Sequence, residues 1–462
     1  MKKRLIMILL SVFTALIALF GIGCGKSGKS GSDVDTTPKP SIDYAGQVTL
    51  DRNSNSKTAD VTVKLFVDGD TTHFYCDDTT AAKGGIVKAR YAAVNTPEST
   101  GQLEEWGKAA SKFTKSKLSS ATSIVIQSDG EDWEYDSTGE RRLLWVWYMA
   151  EGSDTYRNLN LELLQNGLAV GSKASSTRYG EAAVAAIDQA TREKLHVHSG
   201  EKDPDFFYGG AITVDLKELR LNLAKYKDKK VSFDGYVSQS DSTSAYVENF
   251  DEETQRWYGM YVYFGYNLSP AGQKILSAGN HVRIVGNLQY YEAGNSYQIA
   301  NLFYDPWQTS NPDQIKKLDK EVHPIANPEI TMEKFNEEIT FQTTVVSEDG
   351  EESIVTKTAP YCELAVGTSI SMKNLKVVDA YTTKNPDSDN YGAISLTCTV
   401  DGQTITVRTS VLYDADKNMV KQDIFEGKTI DVKGVIDYYL AEGETVGTYQ
   451  IKLFSINNVV FH

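Results

Sequence analysis

Several residue types are scarce in this 462-residue chain, and each scarcity excludes a class of protein. Four cysteines are too few for a disulfide scaffold, and eleven prolines exclude a collagen-like chain. Cations are outnumbered, because 47 lysines and arginines stand against 62 carboxylates and give a net charge of −15. A protein that holds nucleic acid through its bulk charge is normally basic. Any binding of nucleic acid must therefore depend on a local site.

Long hydrophobic runs are scarce as well, and the one that occurs lies at the N-terminus. Residues 2–4 are basic, and residues 5–20 form an almost unbroken apolar run, which is short for a membrane span and typical of a signal-peptide core. Cys24 follows a glycine and precedes a Gly/Ser/Lys tether, a pattern that resembles a bacterial lipoprotein signal. We therefore expect a signal peptide over residues 1–24, a lipid anchor on Cys24, and a location on the extracellular face of the bacterial cell membrane. An ordinary secretory signal is the alternative.

The remaining chain has ordinary globular composition, with 40% hydrophobic and 24% charged residues. Its length predicts about three domains, and its 26 tyrosines favour β structure. We predict a flexible tether over residues 25–45, a first domain over 46–200, a second over 205–310 and a third over 325–462.

The first domain alternates strand-like and helix-like segments. Alternating or continuous apolar runs predict strands, at residues 60–68, 124–126 and 143–147. Apolar residues at helical spacing predict helices, at residues 107–118, 159–168 and 181–195. Strands with interspersed helices in this order indicate a small barrel with helices packed on it.

The second and third domains share a sequence pattern. Each has an opening segment, an alternating strand that runs into glycine, and a closing strand that begins Tyr-Gln-Ile, at Tyr297 and Tyr449. The glycines inside these strands, such as Gly235 and Gly434, indicate a bulge or a tight barrel corner. We predict a mainly β chain, in which an N-terminal OB-like barrel with helices precedes two further OB-like β-barrels. Periodicity alone also allows a β-sandwich for these two domains.

Three pieces of the first domain carry the candidate catalytic and metal-binding residues. The first is Asp68-Gly69-Asp70-Thr71 at a strand end, the second runs from Arg90 to Asn95-Thr96-Pro97-Glu98, and the third places Arg141 before a strand. In this order the three pieces resemble the thermonuclease, or staphylococcal-nuclease-like, family over about residues 55–200. The fold of that family is itself an OB-like barrel with helices. The resemblance implies hydrolysis of phosphodiester bonds in DNA or RNA.

The resemblance also implies a Ca²⁺ cofactor, held by Asp70, Asn95 and the backbone carbonyl of Thr96. Calcium prefers several oxygen ligands, and these residues supply them. Asn95 stands where the family has a carboxylate, so one negative ligand is missing and calcium affinity should fall unless Asp68 or water compensates.

The implied catalytic residues are Glu98, Arg90 and Arg141. Glu98 would accept a proton from the attacking water, and the two arginines would bind the phosphate, because guanidinium groups match its oxygens in pairs. Arg142 adjoins Arg141, and we prefer Arg141 because it keeps the Arg-x-Leu spacing into the strand. The alternative function is a catalytically degenerate surface lipoprotein whose OB-like domains bind nucleic acid, glycan or protein.

Other residues leave open choices. Cys362 and Cys398 could form a disulfide, or they and Cys76 could be buried thiols. A rival zinc site would need a second set of residues, namely His73, Cys76, His196 and His198. The tyrosines of the second domain fit either core packing or a stacking platform for bases, and they are Tyr258, Tyr261, Tyr263, Tyr290 and Tyr291.

Overall fold

The described part of the chain is mainly β, and its strands close into three five-stranded barrels, as the sequence predicts. A computed structural model describes residues 39–100, 103–308, 310–347, 350–386, 388, 390–441 and 444–462, and Pro40–His462 form one compact unit. Cys24, the signal peptide and most of the predicted tether lie outside these residues. Among the described residues, no helix is long and apolar enough to cross a membrane.

The first barrel forms from the N-terminal part of this unit. Its strands are β1 (Thr58–Phe66), β2 (Thr71–Tyr75), β3 (Ile86–Tyr91), β4 (Val94–Asn95), β5 (Ala121–Ser128), β6 (Arg142–Ala150), β7 (Tyr156–Asn158) and β8 (Val170–Gly171). Its helices are α1 (Gly107–Ser119), α2 (Leu159–Gln165) and α3 (Gly180–Arg192). The three predicted helices are therefore present, and β1 ends two residues before its predicted end because Asp68 begins a turn.

Closure of this barrel depends on one parallel pair. β1 pairs antiparallel with β2 and β5, β2 with β3, and β5 with β6. The parallel pairing of β3 with β6 joins the two ends of the sheet. Trp145 and Trp147 on β6 are fully buried, and their indole N–H groups donate to Asp129 and Gln127, so the large rings fill the barrel without unpaired donors.

The second barrel follows the same plan. Its strands are β9 (Ile212–Thr213), β10 (Lys230–Ser240), β11 (Ser244–Asp251), β12 (Arg256–Tyr263), β13 (His281–Tyr291), β14 (Ser296–Ala300) and β15 (Lys316–Lys317). Its helices are α4 (Leu216–Leu221), α5 (Leu223–Tyr226) and α6 (Pro270–Ile275).

The third barrel is preceded by a two-stranded hairpin. Its strands, hairpin included, are β16 (Glu338–Val346), β17 (Glu352–Pro360), β18 (Ser369–Thr382), β19 (Ile394–Val400), β20 (Gln403–Thr409), β21 (Thr429–Tyr439), β22 (Thr448–Leu453) and β23 (Val459–Phe461). Its helices are α7 (Met332–Phe335) and α8 (Tyr361–Leu364). The opening segments predicted for both later domains are short capped helices, because Asp215 and Thr331 accept from the backbone N–H groups of Glu218 and Lys334.

All three barrels have the same strand order, so the β-sandwich alternative is wrong. In the second barrel β10 pairs with β13 and β12 runs parallel to β14, and in the third β18 pairs with β21 and β20 runs parallel to β22. The glycines mark close approaches rather than bulges. A Cβ on Gly286 or Gly434 would lie 2.6 Å from an isoleucine methyl of the next strand, Ile299 or Ile451. Each barrel instead has a bulge in its first strand.

The second and third barrels share one hydrophobic cluster, whereas the first has its own. The backbone of Gly367 packs directly on Gly259, where a Cβ would lie 2.5 Å from the Gly367 carbonyl carbon. The predicted domain boundaries remain predictions, but the packing joins the last two barrels closely.

The choice left open for the cysteines is settled by their surroundings. Cys76, Cys362 and Cys398 are free and buried. Burial raises the pKa of the Cys362 and Cys398 thiols to about 12, so both are neutral and pack as small apolar groups.

Candidate active site

The candidate site begins at the tight turn between β1 and β2. The Asp68 carboxylate accepts from the backbone N–H of Asp70 at 3.0 Å, which closes the turn. Gly69 has no room for a side chain, since a Cβ would lie 2.8 Å from the Ala110 methyl of α1. The Thr114 hydroxyl donates to the Gly69 carbonyl at 2.6 Å. Helix α1 therefore holds the turn in place.

Asp70 is fully buried at the bottom of the site. Its carboxylate accepts from the Thr96 backbone N–H at 2.7 Å and from the Thr71 hydroxyl at 3.1 Å, and it is ion-paired with Arg90. Burial, followed by the negative charge of Asp68, raises the pKa of Asp70 to about 7 although Arg90 opposes this. A further cation at this carboxylate would stabilise its charged form.

Arg90 connects two of the predicted calcium ligands. It lies on β3 opposite Thr71 of β2 and next to Leu143 of the parallel strand β6. Its guanidinium donates to the Asp70 carboxylate and to the side-chain oxygen of Asn95. The oxygens of Asp70 and Asn95 therefore converge on one position of positive charge.

Glu98 has an exposed side chain on a well-fixed backbone. Its N–H donates to the Glu104 carboxylate at 3.0 Å, and the Glu104 N–H donates to the Glu98 carbonyl at 2.9 Å. Desolvation by surrounding atoms and the charge of Asp68 raise the pKa of Glu98, while Arg90 and Arg141 lower it. The predicted base thus lies within electrostatic reach of both predicted arginines.

The two neighbouring arginines of the third piece have different surroundings. Arg141 pairs with Asp136, with Nε 2.7 Å from the carboxylate, and its charge reaches Glu98. Arg142 donates instead to three backbone carbonyls, those of Trp133, Thr80 and Ala81. The structure therefore places Arg141 towards the site and uses Arg142 to tie loops to the barrel.

Several oxygen donors surround Asp70. Asp68 and Asp70 offer carboxylates, Asn95 an amide oxygen and Thr96 a carbonyl oxygen. The Thr96 hydroxyl is also buried and lacks a hydrogen-bond partner within the described part of the chain. These oxygens fit a hard cation such as Ca²⁺. Over the same residues, no cluster of three or more His, Cys, Asp or Glu suited to a metal occurs, so the set depends on the amide and backbone oxygens.

The rival zinc residues are not brought together among the described residues. His196 binds the Asn166 carbonyl through Nδ1 at 2.7 Å and packs edge-on against Trp106.

Tyr179 is the first tyrosine after α2, and it packs edge-on against the core rings of Trp145 and Trp147. It therefore does not present a free ring to a base.

Sequence reasoning missed the residues that support the site. Glu104 holds the backbone of Glu98, and Asp136 holds Arg141. Asp136 opens a turn five residues before Arg141, and that spacing alone gives no signal of an ion pair. Glu104 lies six residues after Glu98, and that spacing likewise gives no signal of their hydrogen bond.

Part of the first barrel matches a known protein family. Residues 88–199 match the sequence model of the family described as staphylococcal nuclease homologues. The match includes Arg90, Asn95, Glu98 and Arg141, and it begins after Asp70. No curated protein matches the chain. This chain therefore contains a staphylococcal-nuclease-like domain, whose nuclease-type fold is followed by two further OB-like barrels.

Proposed function

We propose that the protein is a calcium-dependent nuclease that hydrolyses phosphodiester bonds of extracellular DNA or RNA. The observation that carries the proposal is the convergence of Asp70, Arg90 and Glu98. Arg90 is ion-paired with the buried Asp70, and its charge also acts on Glu98. The family of the matched domain consists in general of phosphodiester-hydrolysing nucleases.

Each residue has a role that its surroundings support. Arg90 and Arg141 bind the phosphate and stabilise the charge that develops on its oxygens. Glu98 accepts the proton of the attacking water, and its raised pKa makes it a better proton acceptor near neutral pH. Asp70, Asn95 and Thr96 would hold the metal, assisted by Asp68. Bound calcium supplies Lewis-acid polarisation of the phosphate.

We further propose that the protein is exported and anchored by a lipid on Cys24. The support is the sequence alone, with its basic start, apolar run over residues 5–20 and small residue before the cysteine. Mass spectrometry of the N-terminal peptide from membrane fractions tests this. An unmodified Cys24, or a Cys24→Ser protein that stays in the membrane fraction, would contradict the anchor.

A second candidate function is favoured by Asn95. With an amide in place of a carboxylate, the site can lose calcium affinity and turnover while the fold persists. The protein would then be a surface binding protein whose later barrels carry the function.

Degradation assays separate the two candidates. The chain lacking residues 1–24 is incubated with DNA and with RNA, in millimolar calcium and in chelator. Calcium-dependent cleavage that Glu98→Gln abolishes supports the nuclease. If the parent does not cleave but the Asn95→Asp variant does, the result supports the degenerate site. Cleavage that persists in Glu98→Gln would contradict the assigned role of Glu98.

A further inference from the structure

A large groove lies between the first barrel and the two later ones. Its volume is about 1230 Å³, and residues from all three barrels line it. From the first barrel its wall includes Ser99, which follows Glu98, and Arg141. From the later barrels its wall includes Tyr263 of β12 and Tyr438 of β21. The groove therefore adjoins the candidate active site.

Aromatic rings are exposed along the second-barrel side of the groove. Tyr263 is 37% exposed, Tyr266 89%, Tyr291 48% and Phe303 38%. Large apolar rings that remain accessible in a concave surface are available for stacking. They come from the end of β12, from the segment after it, from the end of β13 and from the segment after β14. In OB-type barrels the surface around strands two and three and the loop between strands four and five binds oligomeric ligands.

The charge of the groove is opposite to that of the whole protein. Its wall carries seven cationic side chains and four carboxylates, although the net charge of the chain is −15. Two of these cations, Lys112 and Arg141, also pair with carboxylates beside the wall, so the local excess of positive charge is small. Lys108, Lys112 and Lys115 lie along one face of α1, and Lys88 and Lys227 are exposed. A local excess of positive charge in a concave surface attracts a polyanion.

Two ion pairs join the first and second barrels at the groove. Lys115 Nζ lies 2.6 Å from the Glu292 carboxylate, and Lys108 Nζ lies 3.0 Å from that of Asp228. Lys227 lies over the ring of Tyr290, with 5.3 Å between Nζ and the ring centroid. On the second-barrel wall a cation therefore lies beside an aromatic ring, and the lysines of α1 face it from the first barrel.

We propose that this groove binds single-stranded nucleic acid and leads it to the site at Arg90, Glu98 and Arg141. The inference rests on the proposed function and assigns its substrate class. Stacking needs base faces that a duplex hides, whereas cations beside exposed rings suit a single strand. A neutral glycan would use the rings but not the excess of lysines. The tyrosine platform of the second barrel is thus Tyr263 and Tyr291, whereas Tyr258 is buried in the core.

Binding is measured by fluorescence anisotropy with labelled 20-nucleotide oligo-dT and oligo-U. The chain lacking residues 1–24 is used with Glu98→Gln and chelator, so that the oligonucleotide stays intact. We expect Tyr263→Ala with Tyr291→Ala to weaken binding about tenfold or more, because each stacked base contributes appreciably. Tyr263→Phe with Tyr291→Phe keeps the rings and should bind as the parent does. Tyr391→Ala with Tyr413→Ala is the matched control, since both are exposed outside the groove.

A second measurement tests the lysines. Lys227→Ala should reduce the slope of log affinity against log salt by about one, because one phosphate contact is lost. An equal slope in Lys227→Ala and the parent would contradict the phosphate contact.

The outcomes separate this inference from the proposed function. If the parent cleaves nucleic acid but the tyrosine pair binds as tightly as the control pair, the groove inference is wrong. If nothing is cleaved but the tyrosine pair loses binding, the groove inference stands and the nuclease proposal fails. Preferential binding of duplex DNA would also overturn the groove inference. So would binding of cellohexaose that depends on the tyrosine rings, without binding of oligo-dT.

Discussion

Gly107, the first residue of α1, packs directly against the backbone of Glu98. A Cβ on Gly107 would overlap the Glu98 carbonyl oxygen and lie 2.7 Å from its carbonyl carbon. The Gly107 N–H also donates to the Glu104 carbonyl at 3.1 Å. The start of the helix therefore sets the position of the predicted base.

We predict that Gly107→Ala displaces Glu98 and lowers nuclease activity about 100-fold, because small misplacements of reacting groups have large effects. The free energy of unfolding should fall by about 1–3 kcal/mol through overpacking. The measurements are kcat/KM on DNA and chemical denaturation. Gly210→Ala is the control, since a Cβ there meets no atom within 4 Å. Equal activity of the two variants would contradict the link between Gly107 and Glu98.

The neighbouring arginines should separate activity from stability. Arg141→Ala removes a phosphate-binding group and should lower kcat by about 100-fold, with a smaller loss of stability than Arg142→Ala because the Asp136 carboxylate keeps its hydrogen bonds from the Thr138 N–H and hydroxyl. Arg142→Ala removes donors to three carbonyls and should lower the free energy of unfolding by about 2 kcal/mol.

Each arginine variant is the control for the other, in activity assays and denaturation at one pH. If Arg142→Ala lost activity while remaining as stable as the parent, Arg142 would be the phosphate-binding residue.

Asn95→Asp should strengthen calcium binding. The added negative ligand lies beside Asp70, and calcium affinity rises with the charge of its ligands, so we expect a gain of about tenfold or more. Isothermal titration with calcium measures it, and a larger calcium-dependent rise in Tm should accompany it. Asn457→Asp is an exposed control that adds the same charge elsewhere. Unchanged affinity in Asn95→Asp would exclude Asn95 as a ligand.

The burial of Glu248 should make stability depend on pH. Glu248 is buried between the second and third barrels and accepts from the N–H and hydroxyl of Ser369. Burial raises the pKa of Glu248 to about 7. Between pH 4.5 and 7 the folded protein holds a proton that the unfolded chain releases, so stability from this group falls as pH rises through that window. The loss is about 3 kcal/mol and is complete above pH 7.

Comparison with Glu248→Gln isolates this effect from other buried carboxyls. Glutamine keeps an acceptor for the Ser369 N–H, so this variant should be more stable than the parent at pH 8. Its advantage in the free energy of unfolding should be smaller at pH 5, where the parent keeps Glu248 protonated. Denaturation curves at both pH values test the difference, with exposed Glu151→Gln as the control. A difference that does not change between pH 5 and pH 8 would show that Glu248 is charged in both conditions.

Local features of the fold were predictable from the sequence. The helix over 107–118 and the strand around 143–147 follow from hydrophobic periodicity, which reports a buried face wherever neighbouring residues share one element. The order of the Asp70, Arg90 and Arg141 pieces likewise predicted the nuclease-like domain, because the residues of each piece are adjacent in the chain.

Relations between distant segments were decided only by the tertiary structure. Barrel closure depends on the parallel pairing of β3 with β6, and that pairing sets Arg90 beside Leu143 and near Arg141. Sequence periodicity could not separate barrels from sandwiches, since both have alternating strands. The sequence also did not reveal the pairing of Glu248 with Ser369 or the groove between the barrels. Such contacts depend on how separate elements pack, and no local pattern encodes their distance or burial.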